Sequence, residues 1–472
     1  MRTFNGALAG LAILMAGGCA VGPNYKRPVV GEPAQFRFAA GTNHYSLAEM
    51  KWWELYQDPG LQSLIRVALT NNFDIRAGLT LIEQSRAVAM QARAQLLPSA
   101  GYQAGAATGH NAFLGNPSPQ AGRTDSYLGA LNAAWEVDLW GRVRRMNESA
   151  QAQYLAAQET QRGVQLSIVG QVAQAYFELL QLDAQHQIAM NTSNSFFRSY
   201  QIFSQQRQGG VASRLETSRA EAALASAAST VPDLERQIGM KENQISILLG
   251  RNPGPVPRTT HLLEVKFAPE IPVGLPSSLL ERRPDLCAAE QQVRSANAQI
   301  GVAVGNFFPK IGLTALYGGV SPELSALTSG GASLWSVGAN ITGPIFQGGS
   351  LVGKYKEAKA QCDQARLSYQ MTAQTAFREV ADALIAREKL EHVRSEQARC
   401  VRALSDAVEV SMQRYVAGKA NYYEVLEAQQ QLFPAEVALS QTQMYQLQAV
   451  VQLYMALGGG WEMEPVAKLA GK

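Results

Sequence analysis

From Arg142 to Gln208 about 67 residues pass without a proline, and their pattern is helical throughout. At 1.5 Å per residue such a helix spans roughly 100 Å, more than a compact domain of ordinary size can hold. The chain is therefore expected to be built from rods. Ile168, Val172, Ala175, Leu179 and Leu182 follow alternating steps of four and three, the spacing of a coiled-coil seam. Leu166, Val169, Ala173, Tyr176 and Leu180 form a second seam beside it. Two adjoining seams require neighbours on both sides, either in a closed ring of helices or as one broad face buried in a bundle.

The rest of the chain repeats one design. A helix start at Asp58-Pro59 leads to a helical pattern from Asn71 to Leu97, stopped by Pro98. Two strand candidates follow, Ala100 to Thr108 and Tyr127 to Val137, then the long helix. Another helix runs from Val211 to about Gly250, with Pro232 placed to kink it. After a proline-rich connector the order returns. A helix runs from Pro284 to Phe308, strands follow at Lys310 to Tyr317 and Leu334 to Thr342, and a long helix reaches Val416. A last helix ends at Leu457. Leu96-Leu97-Pro98 answers Phe307-Phe308-Pro309, Gly141 answers Gly348, Glu216 answers Glu424, and Leu249-Gly250 answers Leu457-Gly458. The period, about 210 residues, is far too long for a solenoid unit, so this is a tandem repeat of a domain-sized design. Each repeat reads as one long rod beside two shorter helices stacked end to end. The expected divisions are a leader at 1–18, an N-terminal segment at 19–60, a first repeat at 61–250, a connector at 251–276, a second repeat at 277–458 and a tail at 459–472.

The strands indicate where the rods are planted. Trp335, Val337, Ala339 and Ile341 alternate with Ser336, Gly338, Asn340 and Thr342. Ile311, Leu313, Ala315 and Tyr317, and Tyr127, Leu131, Ala133 and Trp135, follow the same rule. Alternating segments of about nine to eleven residues with aromatics near their ends are the pattern of a transmembrane β-barrel, although a half-buried soluble hairpin gives it too. Four strands cannot close a bacterial barrel, which has at least about eight, so a barrel here must be shared between subunits. No segment after the leader has the roughly 20 apolar residues of a membrane helix.

The N-terminus carries Arg2, a short apolar run from Ala7 to Met15, and then Ala16-Gly17-Gly18-Cys19. The run is too short for a membrane span and reads as a secretory signal. It resembles a bacterial lipoprotein signal in which Cys19 becomes the acylated first residue, with Ala16 where leucine is usual; ordinary cleavage with Cys19 unmodified is the alternative. Cys287, Cys362 and Cys400 have no metal-like spacing. A formal net charge of +3 is too small for a nucleic-acid footprint. Gly348 to Lys354 fits the G-x-x-x-x-G-K pattern of a phosphate loop, but Tyr355 stands where the Mg²⁺-holding hydroxyl belongs. The strand before it alternates, unlike a buried parallel strand. The five histidines are scattered, and neither H-E-x-x-H nor G-x-S-x-G occurs. No enzyme, metal or cofactor is expected.

The chemistry concentrates at two glycine-marked tips. Gly209-Gly210 and Gly418 each break a helical pattern that resumes just beyond, the mark of a helical hairpin. Past the second, Glu424 and Glu427 stand on one helix face; past the first, Glu216 takes the place of Glu424. On residue pattern alone, such charges are usually solvated surface.

Four stretches carry a closer likeness: W-W-E-L-Y-Q-D-P-G-L from Trp52, L-L-E-R-R-P-D-L-C-A-A-E from Leu279, F-F-P-K-I-G-L from Phe307, and the tip from Tyr415 to Phe433. Over essentially the whole mature chain the sequence resembles the TolC-like outer membrane factors, in the lipoprotein branch found with resistance-nodulation-division efflux pumps. The resemblance implies a mainly α fold with transmembrane β: a homotrimer whose subunits each give four strands to a 12-stranded outer-membrane barrel, continued by a periplasmic α-helical barrel. It implies a passive duct for small molecules such as drugs, embedded in outer-membrane lipid and docked on a periplasmic adaptor and an inner-membrane pump. A channel for type I protein secretion, or a pore-less structural envelope lipoprotein, are the alternatives. By the same resemblance Glu424, Glu427, Glu216 and Tyr415 line the periplasmic aperture, and Gly209, Gly210, Val211, Gly418 and Lys419 form the adaptor-docking tips. An aperture arginine usual two residues past the second tip glycine is absent, since Ala420 stands there.

Overall fold

The computed structural model describes residues 20–39, 47, 50–110, 123–265, 274 and 276–459. The leader and Cys19 lie outside them, as does the tail from 460. The elements run α1 (Trp52–Leu55), α2 (Pro59–Asn71), α3 (Phe73–Ala94), β1 (Ser99–His110), β2 (Arg123–Val137), α4 (Arg142–Gln208) and α5 (Arg214–Leu248). Then come α6 (Pro276–Arg282), α7 (Pro284–Gly305), β3 (Lys310–Ser321), β4 (Ser333–Thr342), α8 (Ser350–Val416) and α9 (Tyr422–Ala456), with short 3₁₀ turns between. The order α, β, β, long α, α thus occurs twice.

Contacts divide the chain into two compact units. One holds residues 1–29, 81–158 and 288–370; the other holds 30–80, 159–287 and 371–472. Each unit therefore draws on both halves of the sequence, and α4 and α8 contribute to both.

The first unit contains one antiparallel sheet in the order β1-β2-β3-β4. Ser99 faces Ala134, Val137 faces Ile311, and Lys310 faces Thr342. At the end of β2, the Glu136 carboxylate accepts from Nε and Nη2 of Arg142, the shortest contact 2.8 Å, and Asp138 accepts from the backbone of Val143 and Arg144, which starts α4. Trp140 stacks on Phe308 with ring centres 4.7 Å apart and donates its indole N–H to the Pro309 carbonyl at 2.8 Å. The segment from Ala20 is pinned to this junction. Val21 donates to the Trp140 carbonyl at 3.0 Å, buried Arg145 donates to the Val21 carbonyl and to Asn24 Oδ1, and Asn297 donates to the Pro23 carbonyl. Tyr25 and Arg27 both bind the Glu290 carboxylate.

The second unit is helical. All ten residues of the two predicted seams on α4, from Leu166 to Leu182, are buried there. Its N-terminal end is set by Asp58, whose carboxylate accepts from Gly60 N at 2.7 Å, Thr259 Oγ1 at 2.6 Å and Tyr176 Oη at 3.0 Å. Burial pushes the Asp58 carboxyl up, but these hydrogen bonds outweigh it and hold it below the usual carboxylate range. The stability this contributes is present above the unfolded value and is lost as pH falls through the folded one. The helix expected from Asn71 to Leu97 runs from Phe73 to Ala94; the Asn72 side chain caps its start by accepting from Asp74 N and Ile75 N, just past the end of the preceding helix at Asn71. Pro232 lies inside α5 without ending it, because Val231 and Leu234 pack against Leu182 and Ala189 of α4. Pro434 sits inside α9 in the same way.

The motif around Arg283 is a structural tie. This arginine is buried, forks onto Asp285 at 2.9 and 2.7 Å, and reaches Glu379 of α8 at 2.7 Å and the Ala456 carbonyl at the end of α9 at 3.1 Å. Burial works against its charge and the two carboxylates outweigh it, so the guanidinium stays ionised.

Candidate functional site

Two features have chemistry that packing alone does not account for, one in each unit. In the sheet, one row of residues crosses all four strands: Tyr102 faces Leu131, Leu131 faces Tyr317, and Tyr317 faces Trp335. Every one is apolar, and their exposures are 84%, 64%, 69% and 72%. Val337 and Ile341 extend the exposed face along β4. Four large apolar side chains in register, uncovered, form a surface suited to hydrocarbon rather than water. Gly348-Gly349 follows β4, the end strand of an antiparallel sheet, and Ser350 opens α8. That is not the parallel-sheet setting of a phosphate loop.

In the helical unit the two tips come together. Val211 N donates to the Gln206 carbonyl and Gly210 N to that of Arg207; Lys419 N donates to Arg414 and Gly418 N to Tyr415. Both helices thus end in the same six-to-one and five-to-two bonding, with Gly210 and Gly418 at φ of +75° and +67°. The next helices start differently. Ser213 caps α5 in a capping box, where Glu216 Oε2 accepts from Ser213 N at 2.7 Å and Ser213 Oγ accepts from Glu216 N at 3.2 Å. Asn421 caps α9 by its own side chain, accepting from Tyr423 N, which leaves Glu424 available.

Glu424 pairs across the second turn with Arg414 at 3.4 Å. Both side chains are about half exposed, 45% and 53%, so the pair contributes no more than about 1 kcal/mol. Glu427 is exposed and accepts from Gln431. Tyr415 is half-buried, donates to Gln206 Oε1 at 2.8 Å, and lies against Phe203 and Tyr422 with ring centres 5.7 and 6.1 Å away. Phe203 and Tyr422 are closer still at 4.0 Å, above a core of Phe196, Ala220, Val425 and Leu426. Burial pushes the Tyr422 phenol up to about 12. Between the α5 and α9 starts lies a cleft of about 470 Å³ that includes Glu216, Arg219, Tyr423 and Glu424. Gly209, Gly210, Val211, Gly418 and Lys419 are all exposed, Val211 at 81%.

Sequence reasoning had singled out Tyr415 and the acids but missed their partners. Gln206 is 209 residues from Tyr415, and no local spacing marks it. Arg414 brings a cation to the turn from the incoming helix, in a tip where Ala420 occupies the usual arginine position. Among the described residues no group of three or more His, Cys, Asp or Glu is placed to hold a metal ion, and no helix is long and apolar enough to cross a membrane.

The sequence profile of a family described as outer membrane efflux protein matches residues 64–251 and again 275–459. The toluene efflux pump outer membrane protein TtgC of Pseudomonas putida is 34% identical over 469 residues, covering 96% of both chains. The cation efflux system protein CusC of Escherichia coli is 31% identical over 452 residues, covering 94% of this chain and 96% of its own. The open-state crystal structure of the Neisseria gonorrhoeae MtrE outer membrane channel superposes with a TM-score of 0.85 at 30% identity, over 94% of this chain and 98% of that one.

Proposed function

The chain belongs to the outer membrane efflux protein family, and from that premise we propose that it is the passive outer-membrane duct of a tripartite efflux system, passing small molecules from a periplasmic adaptor and an inner-membrane pump to the outside. The observation that carries this reading is the exposed apolar row from Tyr102 to Trp335 on a sheet left open at both ends. Four strands do not close, and three copies would give a shared barrel of 12, an even number within the range of bacterial barrels. The relatives' names, toluene for one and cations for another, fit a duct whose cargo is chosen by the pump it serves.

The tips are the proposed periplasmic mouth. Threefold symmetry would bring three copies of Glu424 and Glu427 around one axis, where like charges attract cations and repel anions as acidic rings do in cation channels. Glu216 spends its carboxylate on its own helix start and adds less to that field. The exposed turns at Gly209-Gly210-Val211 and Gly418-Lys419 are the proposed adaptor contacts. In planar bilayers the purified protein is expected to conduct, and Glu424→Gln with Glu427→Gln is expected to reduce cation preference and divalent block with assembly intact. No conductance would sink the duct; unchanged selectivity in an assembled double variant would make the acids ordinary surface.

Cys19 is the proposed lipid attachment site. The cysteine follows small residues at the end of a short apolar run, and the described chain that comes after it is pinned from Val21 at the strand-to-helix junction. Intact mass of the mature protein is expected to show a modified Cys19; an unmodified N-terminus at Ala20 or beyond would exclude it.

A further inference from the structure

The pairing register divides every strand of the sheet into two faces. The exposed apolar row fixes one of them: even positions on β1, odd positions on β2, β3 and β4. The other face runs through Gln103, Asn132, Thr314 and Asn340 and is mostly small or polar. Among the described strand residues it carries two charges, Glu136 and Lys310, both where strand meets helix.

The two charges differ in what answers them. Glu136 accepts from Nε and Nη2 of Arg142, so its charge is balanced within the chain. Lys310 is exposed and faces Thr342 across the ladder. Among the described residues its ammonium has neither an ion-pair nor a hydrogen-bond partner. One step beyond the pair Val137 and Ile311, the β2–β3 register would set Asp138 opposite it. Asp138, however, spends its carboxylate on the backbone of Val143 and Arg144 and on the Arg144 guanidinium at 3.3 Å. The first repeat adds no second cation. Ser99, which follows Pro98 as Lys310 follows Pro309, donates its hydroxyl to the Ala134 carbonyl at 3.1 Å. Each chain thus places one unanswered positive charge on the face turned away from lipid.

We infer that Lys310 lines the lumen and forms, with its two symmetry mates, a cationic collar that favours anionic solutes such as carboxylates, phosphates and chloride. This rests on the trimeric duct proposed above and adds a second selectivity element, opposite in sign to the acids of the tips. Twelve strands about 4.8 Å apart and tilted about 40° put the wall about 12 Å from the axis. The four-carbon stem of lysine carries its ammonium about half that way inward. The remaining gap is shorter than the Debye length of about 8 Å at physiological ionic strength, so all three charges act on an ion at the axis. In water they raise the anion concentration there roughly three- to fivefold. An anion that has passed the acidic mouth then meets attraction instead of a second barrier.

Reversal potentials in planar bilayers under a KCl gradient test this on wild type, Lys310→Gln and Lys310→Arg. Each is measured again with Glu424→Gln and Glu427→Gln, so that the mouth does not mask the barrel. Chloride-to-potassium permeability is expected to fall about threefold in Lys310→Gln at about 0.15 M salt and to hold in Lys310→Arg. At about 1 M, where the Debye length is about 3 Å, the variants should converge. An unchanged ratio in conducting Lys310→Gln channels, in both backgrounds, overturns the collar. A wild type that assembles but does not conduct overturns the duct reading instead. The face is tested in full-length protein with Cys287, Cys362 and Cys400 replaced by alanine. A negatively charged thiosulfonate reagent is expected to lower chloride permeability at Lys310→Cys and to leave Ile311→Cys, on the lipid face, unchanged. No response at Lys310→Cys, or one confined to Ile311→Cys, overturns the placement in the lumen.

Discussion

Arginine in place of Val337 is expected to destabilise the assembled protein by about 2–4 kcal/mol, the cost of a cation on the lipid face of a barrel near mid-membrane. Val337 is 78% exposed and lies in line with Ala315, Ala133 and Ala100 on the neighbouring strands. No carboxylate stands in that row to pair with an incoming charge. Arginine at Ser336, on the opposite face of the same strand, is expected to cost much less, because a lumen would leave it hydrated. Denaturant unfolding of lipid-reconstituted protein checks both. Equal and small effects would mean that the apolar row does not meet lipid.

Alanine in place of Gly250 is expected to cost about 3–4 kcal/mol, toward the upper end of single substitutions. Its φ of +67° alone penalises any side chain by about 1–2 kcal/mol. A Cβ there would also stand 2.3 Å from the Asn71 carbonyl oxygen and 2.7 Å from its carbon. These are backbone atoms at the α2–α3 junction, where Asn72 both caps α3 and donates to the Leu248 carbonyl. They cannot give way without disturbing two helix ends. Gly458 occupies the same place in the second repeat, with φ of +93°, but the nearest atoms to its added Cβ, on Arg282 and Arg283, lie 3.3 Å away. Gly458→Ala should therefore cost about 1–2 kcal/mol, the conformational part alone. Thermal unfolding of the two variants side by side decides, and equal losses would show that the Asn71 contact carries no weight.

Legibility in the sequence followed the range of the forces involved. The long helices were readable to the residue, because their ends are local events: glycines at the tips and a strand-to-helix turn at the start. The strands were readable as strands, but β2 begins at Arg123 rather than Tyr127, since its extent is set by pairing with β1 and not by its own alternation. Helix α7 was expected to reach Phe308 and stops at Gly305, where Phe307 and Phe308 bond three residues back in a tightened last turn. The acids of the tips could be singled out, but not their duties. That Glu216 closes a capping box while Glu424 reaches Arg414 follows from serine at one cap and asparagine at the other, a difference visible only once both turns are built. Arg283 stood out within a family motif, yet its ties to Glu379 and the Ala456 carbonyl join residues far apart in the chain.

The open sheet also bears on the journey before assembly. A newly exported copy carries two unfinished strand edges and the bare side chains of Tyr102, Leu131, Tyr317 and Trp335 through an aqueous compartment. Flat apolar strands with unfinished edges are the usual templates for wrong pairing and aggregation. The exposed Ile345 and Phe346 add a second sticky site at one of those edges. A lone copy is thus hazardous in proportion to the time it spends alone, and escort by a holding chaperone, or rapid capture by the membrane, becomes a requirement of the fold itself. Lesions that slow closure should then be felt first as lost protein, through proteolysis of waiting copies, and only afterwards as lost transport.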